Sequence, residues 1–225
     1  MRRPALLGAL LLFGFALADA AARAEQFGPG EVVLEDAIAV EVVGREVVAF
    51  DLQGSGQLAL RLELDEKVVF RGARGRVGVV LTDRRMLAAA PGSASWQSER
   101  YRLGETPQES AWISQTLALV VTEQRVIAFL AVRPNAAGTW IDETIGPNER
   151  VVTTRIGPAT AVVITDRRAL GIGERGGFFA TPMRLSEEIE GVEAISSIAT
   201  VTTSQRTLVF KGPSGIWTER DRRLR

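Results

Sequence analysis

Val162-Val163-Ile164-Thr165-Asp166-Arg167-Arg168-Ala169-Leu170 reads as two apolar, β-branched strands hinged on a tight polar turn that ends in arginine. The same hairpin recurs at Val79 to Leu87, Leu119 to Ile127 and Thr200 to Leu208, and its threonines, Thr82, Thr122, Thr165 and Thr203, stand 40, 43 and 38 residues apart. A more diverged copy runs from Val42 to Phe50. Self-similarity at such a period decides the architecture before any single residue does.

Outward from the hairpin of the fourth copy, the chain divides into four strand-sized pieces. Glu149 to Ile156 turns at Gly157-Pro158, Ala161 to Thr165 turns at Asp166-Arg167, Arg168 to Ile172 turns over Glu174 to Gly177, and Phe178 to Leu185 closes the unit. The copies span residues 31–66, 67–104, 105–147, 148–186 and 187–225. Every third strand ends in Gly- or Pro-rich turn chemistry, and every fourth opens on a large apolar residue: Leu58, Trp96, Trp140, Phe179 and Trp217. No helical periodicity is sustained after the first two dozen residues.

Five units of four short antiparallel strands resemble a β-propeller, an all-β architecture in which each unit is a blade. The resemblance covers residues 25–225 as one domain and is to the architecture alone. An antiparallel barrel or sandwich also strings short strands at regular spacing, but the grouping in fours favours blades. The resemblance implies that first strands line a channel and fourth strands form the rim. Turns between strands two and three then share a face with the turns that join blades.

Residues 1–24 read differently. Met1-Arg2-Arg3, an apolar run from Ala5 to Ala18 and the small-x-small site Ala22-Arg23-Ala24 form a secretory signal peptide, with cleavage expected after Ala24 and a periplasmic or extracellular address. The run is shorter than the ~20 residues a spanning helix needs, so no transmembrane segment is expected after cleavage.

Composition narrows the chemistry. The 225 residues include no Cys and no His, which removes disulfides, Ser-His-Asp and Cys-His catalysis, the usual zinc sites and thiol redox chemistry. No cofactor, metal or catalytic residue is expected. Removing residues 1–24 takes away three arginines and one aspartate and leaves 26 acids against 24 bases, a balance that argues against nucleic acid as a partner. Catalysis would have to rest on carboxylates such as Asp51, Glu63, Asp142, Glu143, Glu174 and Glu219, and no pair is singled out by spacing.

Two sets of residues carry the expectation of binding. The hairpin arginines Arg85, Arg125, Arg168 and Arg206 form a ring that either offers anion-binding forks or pairs with acids of the blade-joining turns, among them Asp65, Glu66, Glu105, Glu149, Glu187 and Glu188. Asp83 and Asp166 are expected to accept backbone hydrogen bonds at the hairpin turns. Trp112 breaks the repeat in a first strand, and by loose alignment Asp36, Arg71, Arg155 and Glu193 lie near it at the channel mouth. The rim aromatics read as packing between blades, with sugar stacking as the alternative. The Arg-rich end at Arg220, Arg222, Arg223 and Arg225 is expected to pair with acids of the first blade, closing the ring. The function expected is an exported, non-catalytic module that recognises a protein or glycan with its loop face. A carboxylate hydrolase of envelope polysaccharide and a structural subunit of an envelope complex are the alternatives.

Overall fold

The computed structural model describes residues 36–133 and 136–222, and these form nineteen β-strands and no helix. The expected signal peptide, residues 25–35, Arg223 and Arg225 lie outside the described residues. Blade one holds β1 (Ile38–Val43), β2 (Glu46–Asp51) and β3 (Gln57–Arg61). In blade two are β4 (Val68–Arg74), β5 (Val77–Thr82), β6 (Arg85–Ala89) and β7 (Gln97–Arg100). Blade three contains β8 (Trp112–Ile113), β9 (Leu117–Val121), β10 (Arg125–Leu130) and β11 (Thr139–Thr144). Blade four runs through β12 (Val151–Ile156), β13 (Thr160–Thr165), β14 (Arg168–Gly173) and β15 (Phe178–Pro182). Blade five comprises β16 (Ile189–Ile195), β17 (Ile198–Thr203), β18 (Arg206–Lys211) and β19 (Ile216–Asp221).

Each sheet is an antiparallel meander in sequence order, three-stranded in blade one and four-stranded in the others, and the fold is a five-bladed β-propeller. The three strands of blade one match strands two to four elsewhere; residues 31–35, where the repeat places its first strand, are not among those described. The first strand of blade three is short because residues 104–111 include Pro107, which cannot donate to a ladder.

Sheets stacked on both sides bury both faces, which explains the nearly unbroken Val, Ile, Leu and Ala of the central strands. β5, β10 and β13 are buried at every position. Four apolar clusters fill the seams between blades one and two, two and three, three and four, and four and five. Three rim tryptophans lock three of these seams: the indole N–H groups of Trp96, Trp140 and Trp217 donate to the carbonyls of Leu58 (3.2 Å), Gln97 (3.2 Å) and Phe179 (2.7 Å) in the preceding blade.

On one face, the turns between strands one and two hydrogen-bond in relay. The N–H groups of Ala37, Arg76, Thr116 and Ala159 donate to Gly75, Gln115, Pro158 and Ser196 at 2.6, 2.8, 3.3 and 3.1 Å. Asp36 belongs to this relay and not to a channel-lining strand, because its Oδ1 accepts the Gly75 N–H at 2.7 Å.

Among the described residues, no apolar cluster and no ion pair joins blade five to blade one. Arg222 pairs instead with Glu190 of its own blade and donates to the Thr203 carbonyl at 2.8 Å, because β19 lies antiparallel to β18 and ends beside that hairpin. The expectation that this arginine reaches acids of the first blade is therefore corrected.

Candidate interaction face

Four turns join consecutive blades, and they are built alike: Glu63-Leu64-Asp65-Glu66, Arg102-Leu103-Gly104-Glu105, Gly146-Pro147-Asn148-Glu149 and Arg184-Leu185-Ser186-Glu187. In each the fourth N–H donates to the first carbonyl, and the third residue has φ between 58° and 81°, the mark of a type II turn. The final glutamate folds back. Its Oε2 accepts the N–H of the turn's first residue, at 2.8, 2.5, 2.8 and 2.6 Å in chain order.

The Oε1 of the same glutamate points into the next blade. There it accepts the threonine hydroxyl of the strand-two to strand-three hairpin (Thr82, Thr122, Thr165, Thr203) at 2.7–2.8 Å. It also takes the Nε of Arg85, Arg125, Arg168 or Arg206, each at 2.8 Å. Three of these arginines also reach the end of the preceding blade's fourth strand, donating to the carbonyls of Arg100, Thr144 and Pro182 at 2.6, 2.7 and 2.6 Å. Every latch therefore ties a joint to a hairpin, and those of Arg125, Arg168 and Arg206 tie in the preceding rim as well. The hairpin arginines are committed to Glu66, Glu105, Glu149 and Glu187.

The threonine, and not the aspartate beside it, caps the hairpin: Thr82 Oγ1 accepts the N–H groups of Arg84 and Arg85 at 3.2 and 3.0 Å. Asp83 and Asp166 accept backbone hydrogen bonds from Lys67 and Arg150, sixteen residues upstream at the joint. Burial alone would push the latch carboxyls up. The hydrogen bonds from arginine, turn N–H and threonine outweigh it and hold Glu66, Glu149 and Glu187 down to about 2, with Glu105 lowered for the same reasons. Burial pulls the Arg125 guanidinium down, but its bonds to Glu105 and Glu99 outweigh that and raise it further.

Because the glutamate turns inward, the turn's second residue points away from the protein. Leu64 is 68% exposed, Leu185 93%, and Leu103 wholly so. Beside them, β-bulges in β4 and β12 expose Val69 and Val152 on the same face. Singly exposed apolar residues are ordinary, but this series stands at equivalent positions on rigid, latched turns. Two grooves lie between the turns. The larger, about 700 Å³, runs between blades four and five past Val152, Arg167, Met183, Leu185, Glu188 and Ile189. A smaller one of about 420 Å³ lies between blades three and four.

The residues singled out at the channel mouth do not share one register. Trp112, Arg155 and Glu193 pair with Leu119, Val162 and Thr200, each three positions before the latch threonine, so they are equivalent. Gly72 is their counterpart in blade two, and Arg71, one residue earlier, points to the opposite side of its strand and pairs with Glu41 at 2.6 Å. Trp112 is 42% exposed. Arg155 donates to its neighbour's carbonyl, that of Thr154, at 2.9 Å. Of the surface carboxylates, Glu63, Asp142, Glu143 and Glu219 each hold an arginine. Among the described residues no three acids converge on a point where one cation would sit.

Sequence reading found the arginines and the acids but missed the leucines. The signal was present as the spacing Glu-x15/16-Thr-x2-Arg, which binds a joint to the following hairpin and forces the preceding residues outward.

No protein-family model and no curated protein matches the chain. Solved structures with a similar arrangement include human WBSCR16 (14% identity, TM-score 0.40, covering 80% of this chain and 59% of that one). Yeast RCC1 (Prp20) bound to Kap60 is similar at 10% identity and a TM-score of 0.39, over 78% of this chain and 54% of that one. The WD40 domain of SCAP from fission yeast matches at 11% identity and 0.37, over 88% and 58%. The chain thus spans less than two thirds of the length of these neighbours.

Proposed function

We infer that this chain is an exported, non-catalytic scaffold that binds a protein partner through the face of latched turns. The observation that carries the reading is the series Leu64, Leu103 and Leu185, turned into solvent at equivalent positions by glutamates whose side chains are buried. Exposed leucine on a rigid support favours a protein surface, since its apolar area is released from water only by another apolar surface. A glycan would need aromatic platforms, and Trp96, Trp140 and Trp217 donate their indole N–H groups to the preceding blade, which leaves Trp112 as the one exposed tryptophan among the described residues. Export rests on the basic, apolar and small-residue order of residues 1–24.

A photo-crosslinking residue at position 103, in the full chain expressed in its own cells, tests this. It should trap one protein partner, and the adduct should disappear in the Leu64→Asp, Leu185→Asp double variant. The same probe at Thr218 on the rim should give no adduct. Crosslinking from the rim alone, or from neither position, overturns the reading, and a mature N-terminus other than Glu25 overturns the cleavage site.

A further inference from the structure

Hairpin position two, just before each latch arginine, is Arg84, Gln124, Arg167 and Gln205 in blades two to five. Three of the four are satisfied by the blade-joining turn beneath them. Arg84 donates to Glu63 at 3.1 Å, and Gln124 and Gln205 donate to the carbonyls of Leu103 and Leu185 at 3.3 and 3.1 Å. Arg167 is the exception, because the turn residue that corresponds to Glu63 is Gly146. Among the described residues no carboxylate pairs with Arg167; its neighbour Asp166 is taken by the Arg150 N–H at 3.0 Å. The exposed guanidinium lines the larger groove, whose apolar lining is Val152, Met183, Leu185 and Ile189.

We propose that the groove between blades four and five holds an extended segment of the partner protein, with a large apolar side chain against Val152, Met183, Leu185 and Ile189 and an adjacent carboxylate on Arg167. This deepens the function inferred above and rests on it. A groove of about 700 Å³ accommodates a few residues of extended chain. Charge complementarity sets the chemistry of the occupant: a planar guanidinium with no internal acid is a fork for a carboxylate. Glu188, which also lines the groove and has no ion pair among the described residues, accepts a backbone N–H or a basic side chain from the same segment. Leu185 forms both the end of the groove and part of the leucine series, so an anchored segment continues directly onto the exposed turns.

The probe is a displayed library of random decapeptides, selected against the purified full chain and re-tested on variants whose folding is verified by circular dichroism. Enriched peptides should carry Leu, Met or Phe next to Asp or Glu. Their binding should fall about tenfold or more with Val152→Asp and with Arg167→Glu, and stay unchanged with Leu64→Asp, which lies three joints away along the chain. Selection against the Arg167→Glu protein should replace the acid of the motif by Lys or Arg. Peptides without an acid, or insensitive to Arg167→Glu, overturn the groove assignment. Peptides lost with Leu64→Asp but not with Val152→Asp overturn the groove while keeping the leucine face. Binding insensitive to every one of these substitutions, or no enrichment, overturns both.

Discussion

Blade four and blade five carry the same hairpin, yet their outward faces are built for different neighbours. On blade four that face holds Val162, Ile164, Ala169, Gly171 and Gly173, and Val201, Leu208 and Phe210 of blade five pack against it. The equivalent positions of blade five are Thr200, Thr202, Thr207, Val209 and Lys211, and β17 and β18 alternate between buried and more exposed positions where β13 is buried throughout and β14 at every position after Arg168. Blade one is matched to that difference. It places Glu41 where the other blades have Val80, Val120, Val163 and Val201, and it puts Val43 and Glu46 where the latch needs threonine and arginine. A seam here consists of an apolar cluster, a latch and a link of the turn relay, and among the described residues the two terminal blades lack the parts for the first two. Stacked repeats in general give their end units polar outer faces.

The strongest way to break the comparison is to empty the seam that blade four does have. Phe210 is fully buried, and its ring centre lies 5.1 Å from that of Trp217 and 6.0 Å from that of Phe179. Phe210→Ala should cost about 3–5 kcal/mol in urea unfolding. Its neighbour on the open face, Val209→Ala, should cost less than a third of that. Equal losses would mean that both faces are packed.

The latches come next. Arg125 is 1% exposed and donates to Glu105, Glu99 and the Arg100 carbonyl, so Arg125→Ala strands a buried carboxylate and should cost about 3–5 kcal/mol. Arg45, at the hairpin of blade one, donates only to the Leu62 carbonyl among the described residues, and Arg45→Ala should cost about 1 kcal/mol. Acid offers a second readout of the same groups. The latch carboxyls titrate lower folded than unfolded, so their contribution is fully present above about pH 4.5 and is lost as pH falls toward 2. The thermal midpoint should drop steeply over that window. In Glu149→Gln the wild-type-minus-variant difference should shrink as pH falls, and a constant difference would show that this carboxylate is not held in its charged form.

How much of this was legible before the structure depends on the kind of signal. Blade count, hairpins and rim aromatics follow from apolar alternation and turn residues, and these are local. The latch was half legible: Arg and Glu were both visible, but their pairing crosses from the end of one repeat to the middle of the next. Repeated apolar residues ordinarily read as core, so Leu64, Leu103 and Leu185 gave no sign of pointing outward until the inward glutamate was placed. Arg71 lies one residue from Gly72, the true counterpart of Trp112, and a one-residue difference in register leaves no mark in the sequence while it reverses the side of the strand that a side chain faces.

Exchanging residues between the two outward faces sharpens the comparison further. A Cβ on Gly171 would lie 2.5 Å from the Phe210 ring, so Gly171→Ala should cost about 1–3 kcal/mol by overpacking. Carrying the threonine of blade five into blade four, Ile164→Thr, buries a hydroxyl in the seam and should cost a similar amount. Both should be read by the urea midpoint at constant m-value, since a changed m-value would signal loss of a whole blade.

The reverse exchange carries the smallest expected effect and the most information about the open face. Thr202→Ile places on blade five the side chain that Ile164 presents to it from blade four. If this face meets only solvent, stability should move by no more than about 0.5 kcal/mol, because an exposed substitution removes no packing. A gain of 1 kcal/mol or more at constant m-value would reveal an apolar neighbour supplied by residues beyond 36–222, and blade five would then be an interior unit. A rise in sedimentation coefficient with concentration, absent from the wild-type chain, would show the threonine keeping a sheet face from pairing with its own copies.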